Sequence, residues 1–208
     1  MTGSAGELHG RPWPSSPVPS AFVLRVDRPA LVLGSTQAWP PSAPVGGSVE
    51  VVRRRSGGGA VLMRPGELLW VDVVVPVGDP RWTADVGRAF WWLGEAWVAA
   101  LEAVGVGGAR WHDGPLVRTP LSAAVCFAGL GPGEVTRAGR KMVGMSSRRR
   151  RDAALFQCAA LLSWDPAATA DALGLGPEVV PQLDGVAAGL DVAEADLEQA
   201  FLAALAER

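Results

Sequence analysis

The chain has 208 residues, 49% of them hydrophobic, and its formal net charge at pH 7 is −2. This length and apolar content suit a single globular domain, whereas the near-neutral charge gives no support for binding to nucleic acid or to an anionic membrane surface. No stretch approaches the roughly 18 apolar residues of a transmembrane helix, and the N-terminus lacks the apolar core of a secretory signal, so we expect a cytoplasmic protein.

The first part of the chain predicts a tail followed by short strands. Residues 1–20 include the segment RPWPSSPVPS and predict a flexible Pro/Ser-rich tail, which leaves 21–208 as one domain. Residues 38–48 are rich in proline and glycine and predict a loop. Short apolar runs typical of strands occupy 22–26, 30–33, 49–53 and 68–75.

The clearest predicted helix spans residues 83–104, because apolar residues repeat there at intervals of three or four. Its apolar face comprises Val86, Phe90, Leu93, Trp97, Leu101 and Val104. Further β-like runs follow at 123–128, 134–138, 141–145 and 154–162, and the chain from 165 onward is alanine-rich and predicts helices, the last at 193–206. This order predicts an α+β domain with a mixed sheet flanked by helices.

Lys141 is the only lysine of the chain, against 18 arginines. It lies in GRKMVG, residues 139–144, an apolar strand with a glycine at each end. Upstream, three arginines precede the glycine turn SGGG at 56–59, whose backbone amides could face an anion. A compact ammonium can follow one oxygen better than a guanidinium can. We therefore hypothesise a carboxylate or phosphate site, with one mixed sheet carrying the glycine loop and the Lys141 strand side by side. A plain hairpin turn and a solvated lysine at a strand edge are the alternatives.

The two cysteines are too few for a disulfide framework, so we expect free thiols in a reducing compartment. Cys126 lies in the apolar run AAVCFAG, and a buried, inert thiol is its default interpretation. A nucleophilic role would need a nearby cation or base, and spacing gives no support for a pair with His112. The cysteines and histidines show no metal-ligand spacing. The run Arg148–Arg151 favours an acidic protein partner over nucleic acid.

Three segments together resemble one family. The segment RRRSGGGAV at 53–61 closely resembles the lipoate-binding loop of lipoate–protein ligases, which belong to the biotin/lipoate protein ligase superfamily. The segment PALVLGSTQ at 29–37 resembles the strand and glutamine that precede that loop, and GRKMVGMSSRRRR at 139–151 resembles the lysine segment. The three blocks occur in the order of the family and span residues 29–162.

The resemblance implies a class II synthetase-like α+β fold of the biotin/lipoate ligase type. It also implies activation of lipoate or octanoate as an acyl-adenylate, with ATP and Mg²⁺. The acyl group would pass to a lysine on a lipoyl carrier domain of a 2-oxoacid dehydrogenase or on the glycine-cleavage H protein. Lys141 would hold the acyl carbonyl and the phosphate. The residues that would line the acyl-adenylate are Arg53, Arg54, Ser56, Gly57, Gly58, Gly59, Ala60 and Gly144.

Two alternatives stand beside the ligase. In octanoyltransferases of the same superfamily a Cys-Phe dipeptide precedes the motif lysine with a glutamate between them, and Cys126, Glu134 and Lys141 reproduce that spacing. Cys126 would then carry an acyl thioester taken from an acyl carrier protein, without ATP. The third hypothesis is a non-catalytic paralogue that binds lipoyl groups or carrier domains. Its basis is that Met63 and Cys158 stand where family members commonly have histidine.

Overall fold

The computed structural model describes residues 1–13, 18–39 and 49–208, which form two mixed β-sheets and the helices around them. The larger sheet has the order β1-β2-β6-β10-β9-β8-β7, with strands numbered along the chain. Its strands are β1 (Thr2–Gly3), β2 (Ser20–Val26), β6 (Leu68–Pro76), β7 (Ala109–Trp111), β8 (Val135–Arg137), β9 (Arg140–Arg149) and β10 (Ala153–Leu161). The smaller sheet has the order β4-β3-β5 and contains β3 (Ala30–Leu33), β4 (Glu50–Arg53) and β5 (Val61–Met63).

Five α-helices of the described residues accompany the sheets, so the α+β class is confirmed. They are α1 (Ala5–Gly10), α2 (Trp91–Ala103), α3 (Pro166–Ala172), α4 (Val180–Asp184) and α5 (Glu194–Ala206). Short 3-10 turns occupy Arg88–Phe90, Cys126–Ala128 and Pro177–Val179. Within the described residues no helix is both long enough and apolar enough to cross a membrane.

Strand β6 is buried on both faces, which explains its uninterrupted apolar sequence. The odd-numbered residues 69–75 pack against α2 and α5, where the rings of Trp97 and Phe201 stack with centroids 3.6 Å apart. Leu68 and Trp70 face the opposite way and pack against the smaller sheet. The larger sheet is therefore covered by helices on one face and by the three-stranded sheet on the other.

Two predicted elements differ from the structure. The α-helix predicted from residue 83 begins at Trp91, because the Asp85 carboxylate accepts hydrogen bonds from the backbone N–H groups of Gly87 and Arg88 and forms a turn there. Val86 is consequently exposed. The strand predicted at 123–128 is wrong as well. Leu121 starts a hydrogen-bonded turn instead, which continues into the 3-10 turn at Cys126–Ala128.

The prediction of a flexible tail over residues 1–20 is wrong for residues 1–13. Strand β1 pairs with β2, and α1 carries a capping box in which Ser4 and Glu7 satisfy each other's backbone N–H groups. The guanidinium of Arg11 then lies 2.7 Å from the buried carboxylate of Asp72 in β6. Residues 14–17 of the predicted tail, and 40–48 of the predicted loop at 38–48, lie outside the described residues.

Candidate functional site

A cavity of about 730 Å³ lies between the two sheets. On the side of the larger sheet its lining includes Trp70, Ala159 and Gly144, which form one row because Ala159 pairs with both of the other residues. The smaller sheet contributes Val32 and Met63. This volume and this mostly apolar lining are typical of a small-molecule site.

A β-bulge in β9 brings Lys141 and Gly144 to the same cavity. Side chains alternate along a strand, so residues three apart would normally face opposite sides of the sheet. Here the adjacent residues Val135 and Thr136 of β8 pair with Val143 and Lys141 of β9, so β9 carries one extra residue. The bulge thus turns Lys141 into the cavity that Gly144 lines.

The glycine loop closes the cavity from the side of the smaller sheet. A Cβ on Gly59 would lie 2.5 Å from the carbonyl carbon of Val125 and 2.6 Å from the nitrogen of Cys126, so only glycine allows this approach. Gly58 has a φ of 98°, in the left-handed region that glycine favours. Directly after the loop, Ala60 accepts a hydrogen bond from the N–H of Cys126 at 2.9 Å. The loop and the segment that carries Cys126 are therefore held together by backbone contacts. Because the loop belongs to the smaller sheet, the expectation that it lies beside the Lys141 strand in one sheet is wrong.

Arg54 places a buried positive charge in the cavity wall. Its side chain donates from Nη2 to the carbonyl oxygens of Gly57 and Gly59, both at 2.8 Å, and the residue is only 6% exposed. Its Nε is buried and has no hydrogen-bond partner among the described residues, and Arg54 forms no ion pair with a carboxylate there. A buried cation without a counter-ion favours an anionic ligand.

Lys141 is also buried, and its ammonium has three partners. The nitrogen lies 2.6 Å from Glu134 Oε2, 3.1 Å from the carbonyl oxygen of Cys126 and 3.0 Å from that of Gly129. Glu134 in turn accepts two backbone N–H groups. The alternative interpretation of Lys141 as a solvated strand-edge lysine is therefore wrong, because the residue is buried and its strand β9 lies between β8 and β10.

The two cysteines have different environments. Cys126 is half-buried, lines the cavity, and places its sulfur 4.0 Å from Nη2 of Arg54, so the prediction of a thiol buried within a strand is wrong. Cys158 is fully buried, and burial raises the pKa of its thiol to about 12. His112 does not belong to the cavity lining; its Nε2 lies 2.8 Å from the carbonyl oxygen of Pro115.

The family model of the lipoyl protein ligase A/B catalytic domain matches residues 13–188. The chain belongs to this family. No curated protein sequence matches the chain. The predicted membership in the lipoate ligase superfamily is therefore confirmed by the family match.

Solved structures of lipoate ligases share the fold at low sequence identity. One is a crystal structure of lipoate-protein ligase A bound with ATP, at 23% identity and a TM-score of 0.70, covering 91% of this chain and 72% of that chain. A putative lipoate protein ligase from T. acidophilum with bound lipoic acid has 22% identity and a TM-score of 0.66, covering 91% and 71%. A bi-partite lipoate protein ligase from Thermoplasma acidophilum, described with its E2 lipoyl domain, has 20% identity and a TM-score of 0.65, covering 91% and 70%.

The predicted site residues of this lipoyl ligase domain fall into two groups. The cavity lining includes Lys141, Cys126, Arg54, Gly57, Gly58, Gly59 and Gly144. The cavity lining does not include the other three predicted residues, Arg53, Ser56 and Ala60. Arg53 donates to carbonyl oxygens of the turn at 34–37, and Ser56 Oγ lies 3.1 Å from Ser146 Oγ. Ala60, directly before β5, is buried and pairs with Val125 in an isolated β-bridge. These three residues support the loop rather than face the cavity.

Sequence reasoning missed the contribution of the N-terminal segment. His9 of α1 lines the cavity, with its ring centroid 4.5 Å from that of Trp70. The signal that could have found it is the pattern Ser4-Ala5-Gly6-Glu7, a capping-box signature that predicts a helix start within the supposed tail. The segment at 116–123 was also missed, although Leu116, Arg118, Thr119 and Ser122 line the cavity.

Proposed function

We propose that the protein activates lipoate or octanoate as an acyl-adenylate and transfers the acyl group to a lysine of a lipoyl carrier domain. The observation that carries this proposal is the pair of buried cations, Lys141 and Arg54, on the wall of one largely apolar cavity. The match to the lipoyl protein ligase family supports the substrate class.

The cavity suits a medium-length acyl chain with its carboxyl group near Lys141. Val32, Val61, Met63 and Trp70 supply apolar lining beyond the charged end. Burial of the seven methylene or methyl carbons of octanoate, at about 0.8 kcal/mol each, gives about 5–6 kcal/mol. One added charge pair brings the affinity to the micromolar range.

The two cations match the charge that develops during activation. When a carboxylate oxygen attacks the α-phosphate of ATP, pyrophosphate leaves and negative charge builds on the phosphoryl oxygens. Fixed positive groups in a site shielded from water stabilise such charge without having to reorganise. The lysine amine of the carrier then attacks the acyl carbonyl, and AMP leaves. For Lys141 to contact these oxygens, its ammonium must exchange one of its present carbonyl partners for the substrate.

ATP is the co-substrate of this reaction, and Mg²⁺ would accompany its phosphates. Glu134 is the only carboxylate in the described lining of the cavity, and its oxygens already bind Lys141 and two backbone N–H groups. The protein therefore offers few ligands of its own to the ion, which fits a Mg²⁺ ion held mainly by the nucleotide and water.

The second candidate is an ATP-independent octanoyltransferase, and the position of Cys126 favours it. The thiol faces the cavity, and the guanidinium of Arg54 and the ammonium of Lys141 both lie close to this residue. A cysteine that lines the acyl cavity is placed to act as the nucleophile that attacks a thioester. In this reaction Cys126 would attack the octanoyl thioester of an acyl carrier protein, and the thiol of that carrier protein would leave. The octanoyl group would then pass from Cys126 to the lysine of the lipoyl carrier domain, and the Cys126 thiol would be regenerated.

A carrier domain must reach the acyl group from outside, and acidic carriers suit the charge of the surface. Arg148 and Arg150 lie over the ring of Trp13, at 5.8 Å and 4.2 Å from its centroid, and form no ion pairs with carboxylates of the described residues. Lipoyl domains of 2-oxoacid dehydrogenases and the glycine-cleavage H protein are the proposed partners.

Two parallel reactions test the proposal. The first contains the protein, octanoate, ATP, Mg²⁺ and an apo lipoyl domain; the second contains octanoyl acyl carrier protein and the lipoyl domain without ATP. Mass spectrometry of the lipoyl domain detects a modified lysine. Modification in the first reaction supports the ligase, and modification only in the second rejects it in favour of the transferase. Binding of the lipoyl domain without modification in either reaction would identify a non-catalytic binder.

A further inference from the structure

Lys141 supplies the only side-chain amine of the chain, and it lies in the wall of the cavity. A lysine amine becomes a nucleophile when it loses its proton, whereas the guanidinium of arginine stays protonated. The carrier domain of the proposed reaction offers the same group, a lysine amine, as the acyl acceptor. The enzyme therefore holds a chemical equivalent of its own acceptor inside the cavity where the acyl group is activated.

The proposed reaction brings the activated acyl carbon close to this amine. When the Lys141 nitrogen contacts the acyl carbonyl oxygen at about 3 Å, the carbonyl carbon lies one C=O bond farther, within about 4 Å of the nitrogen. A neutral amine at that distance would attack the acyl-adenylate or the acyl thioester. A C–N bond would form, the C–O bond to AMP or the C–S bond would break, and one proton of the amine would pass to the leaving group or to water. The resulting amide would abolish the positive charge of Lys141.

The contacts of the Lys141 nitrogen all favour its protonated form, which has three N–H donors and no lone pair. Three acceptors surround it: Glu134 Oε2 at 2.6 Å, and the carbonyl oxygens of Cys126 at 3.1 Å and Gly129 at 3.0 Å. The face of the Phe127 ring, whose centroid lies 5.2 Å from the nitrogen, also favours a cation over a neutral amine. A protonated Lys141 cannot act as a nucleophile.

Glu134 is the only one of these partners that carries a negative charge. Its residue is buried, and the N–H groups of Gly131 and Met145 each hold one of its carboxylate oxygens. Burial by itself favours the neutral form of an amine, because a charge without a counter-charge is costly away from water. The Glu134 carboxylate opposes that preference. It also remains beside Lys141 when a substrate oxygen takes the place of one of the carbonyl partners.

We propose that Glu134 is a positioning residue that keeps Lys141 protonated, so that the enzyme does not acylate its own lysine. This rests on the proposed function, which brings an activated acyl group to Lys141. The two lysines of the reaction then have separate tasks. Lys141 stabilises negative charge as an ammonium, and the lysine of the carrier domain, which Glu134 does not contact before docking, attacks as the neutral amine.

Incubation of the full chain with preformed octanoyl adenylate, and in a second series with octanoyl acyl carrier protein, tests this proposal without a lipoyl domain. Peptide mapping by mass spectrometry separates an amide on Lys141 from one on the N-terminal amine. The wild type should show at most a trace of amide on Lys141. Glu134→Gln removes the charge and keeps the shape, so it should accumulate at least about tenfold more. Glu67→Gln is the matched control, because Glu67 pairs with Arg64 outside the cavity lining, and it should behave as the wild type.

Excess octanoate separates a reaction inside the cavity from damage to the fold. Octanoate competes with the acyl donor for the cavity, so it should suppress the amide on Lys141 in Glu134→Gln. Acylation of a misfolded chain would not respond to octanoate. Absence of extra amide in a folded Glu134→Gln variant would show that burial alone protects Lys141. That result, or an increase that octanoate does not suppress, overturns the proposal.

Arg140→Lys tests the protection of Lys141 on a chain that retains Glu134, and it serves alone if Glu134→Gln does not fold. It places a second amine at an exposed position next to Lys141. The amide should form at position 140 and not at Lys141, and equal amounts at the two positions overturn the proposal. Adding the apo lipoyl domain to the wild type tests the proposed function separately. Octanoyl transfer to that domain from either donor upholds the proposed function whatever the state of Lys141, and absence of transfer from both donors overturns both proposals.

Discussion

The ammonium nitrogen of Lys141 lies 2.6 Å from Glu134 Oε2, and the two side chains are only 4% and 5% exposed. Removing such a pair from water is costly unless hydrogen bonds satisfy every remaining polar atom. That condition is met here, because the N–H groups of Gly131 and Met145 donate to Glu134 at 2.6 Å and 2.9 Å. The same ammonium donates to the carbonyl oxygens of Cys126 and Gly129, so Lys141 joins β9 to the segment that carries Cys126 and serves both the fold and the proposed chemistry.

Lys141→Met should lower both stability and activity. Loss of the ammonium leaves the Glu134 carboxylate buried and unpaired, which should reduce the free energy of unfolding by about 3–5 kcal/mol. Loss of a preorganised positive group should also slow acyl transfer by about 10²–10³. Urea unfolding followed by tryptophan fluorescence measures the first effect, and the lipoyl-domain assay measures the second under conditions where the variant remains folded.

A second substitution separates the two effects. Lys141→Met combined with Glu134→Gln removes the unpaired charge, so most of the lost stability should return while the rate stays low. Arg140→Met is the matched control, because it removes an exposed cation one position away and should change stability by less than about 0.5 kcal/mol. Wild-type rates in a folded Lys141→Met variant would reject the role of Lys141 in the reaction.

Cys126→Ala distinguishes the two proposed enzymes. A ligase does not need the thiol, so the variant should keep most of the ATP-dependent transfer. A thioester enzyme should lose essentially all ATP-independent transfer, because its nucleophile is absent. Mass spectrometry of the wild-type protein after incubation with octanoyl acyl carrier protein gives an independent readout. An octanoyl adduct on the wild type that is absent from Cys126→Ala would favour the transferase.

The sequence predicted the strands, the main helices and the residues of the cavity better than their spatial relations. Lys141 and the glycines at 57–59 could be found because glycine and a lone lysine are distinctive in this composition. The bulge that turns Lys141 into the cavity could not be predicted, because it depends on how β8 and β9 pair, and no local residue pattern encodes that pairing. Nor could the division into two sheets, because the same apolar runs fit one sheet or two.

The N-terminal segment shows a different error, in which the sequence predicted a flexible tail where the structure has a strand and a helix. Composition predicted a tail because prolines and serines dominate residues 11–20, yet the structure of residues 1–13 depends on specific partners far away in sequence. Arg11 meets Asp72, and His9 meets Trp70, both in β6. Such long-range contacts decide the structure of the segment against the prediction from local composition. Only a three-dimensional structure shows that the rings of His9 and Trp70 lie together.

Gly59→Ala should destabilise the protein far more than Gly57→Ala. A Cβ on Gly59 would collide with the backbone of Val125 and Cys126, and backbone cannot move aside as a flexible side chain can. A Cβ on Gly57 would meet nothing within 4 Å. We expect a loss of about 1–3 kcal/mol for Gly59→Ala, as for overpacked sites, and less than about 0.5 kcal/mol for Gly57→Ala. Equal unfolding midpoints in urea for the two variants would mean that the loop does not rest on the segment at 125–126.

His9 should make the stability of the fold depend on pH between about 4 and 6.5. The pKa of His9 is lowered to about 4 in the folded protein, mainly by burial, from an ordinary value of 6.5. Between these two values the unfolded chain binds more protons at this residue than the folded protein does. The free energy of unfolding must therefore rise with pH through this window and fall as the solution is acidified.

The magnitude follows from the size of the shift. A difference of 2.5 pKa units, at 1.36 kcal/mol per unit, corresponds to about 3 kcal/mol between pH 7 and pH 4. Acidic groups also titrate at low pH, and burial raises the pKa of Asp72, whose protonation acts in the opposite direction. We therefore compare the wild type with His9→Phe, which keeps a ring against Trp70 and has no proton to bind. The acidic groups affect both proteins alike, so the stability of the wild type relative to the variant should fall by about 3 kcal/mol from pH 7 to pH 4. Urea unfolding at each pH measures this difference, and parallel pH profiles for the two proteins would show that the imidazole is solvated rather than enclosed beside Trp70.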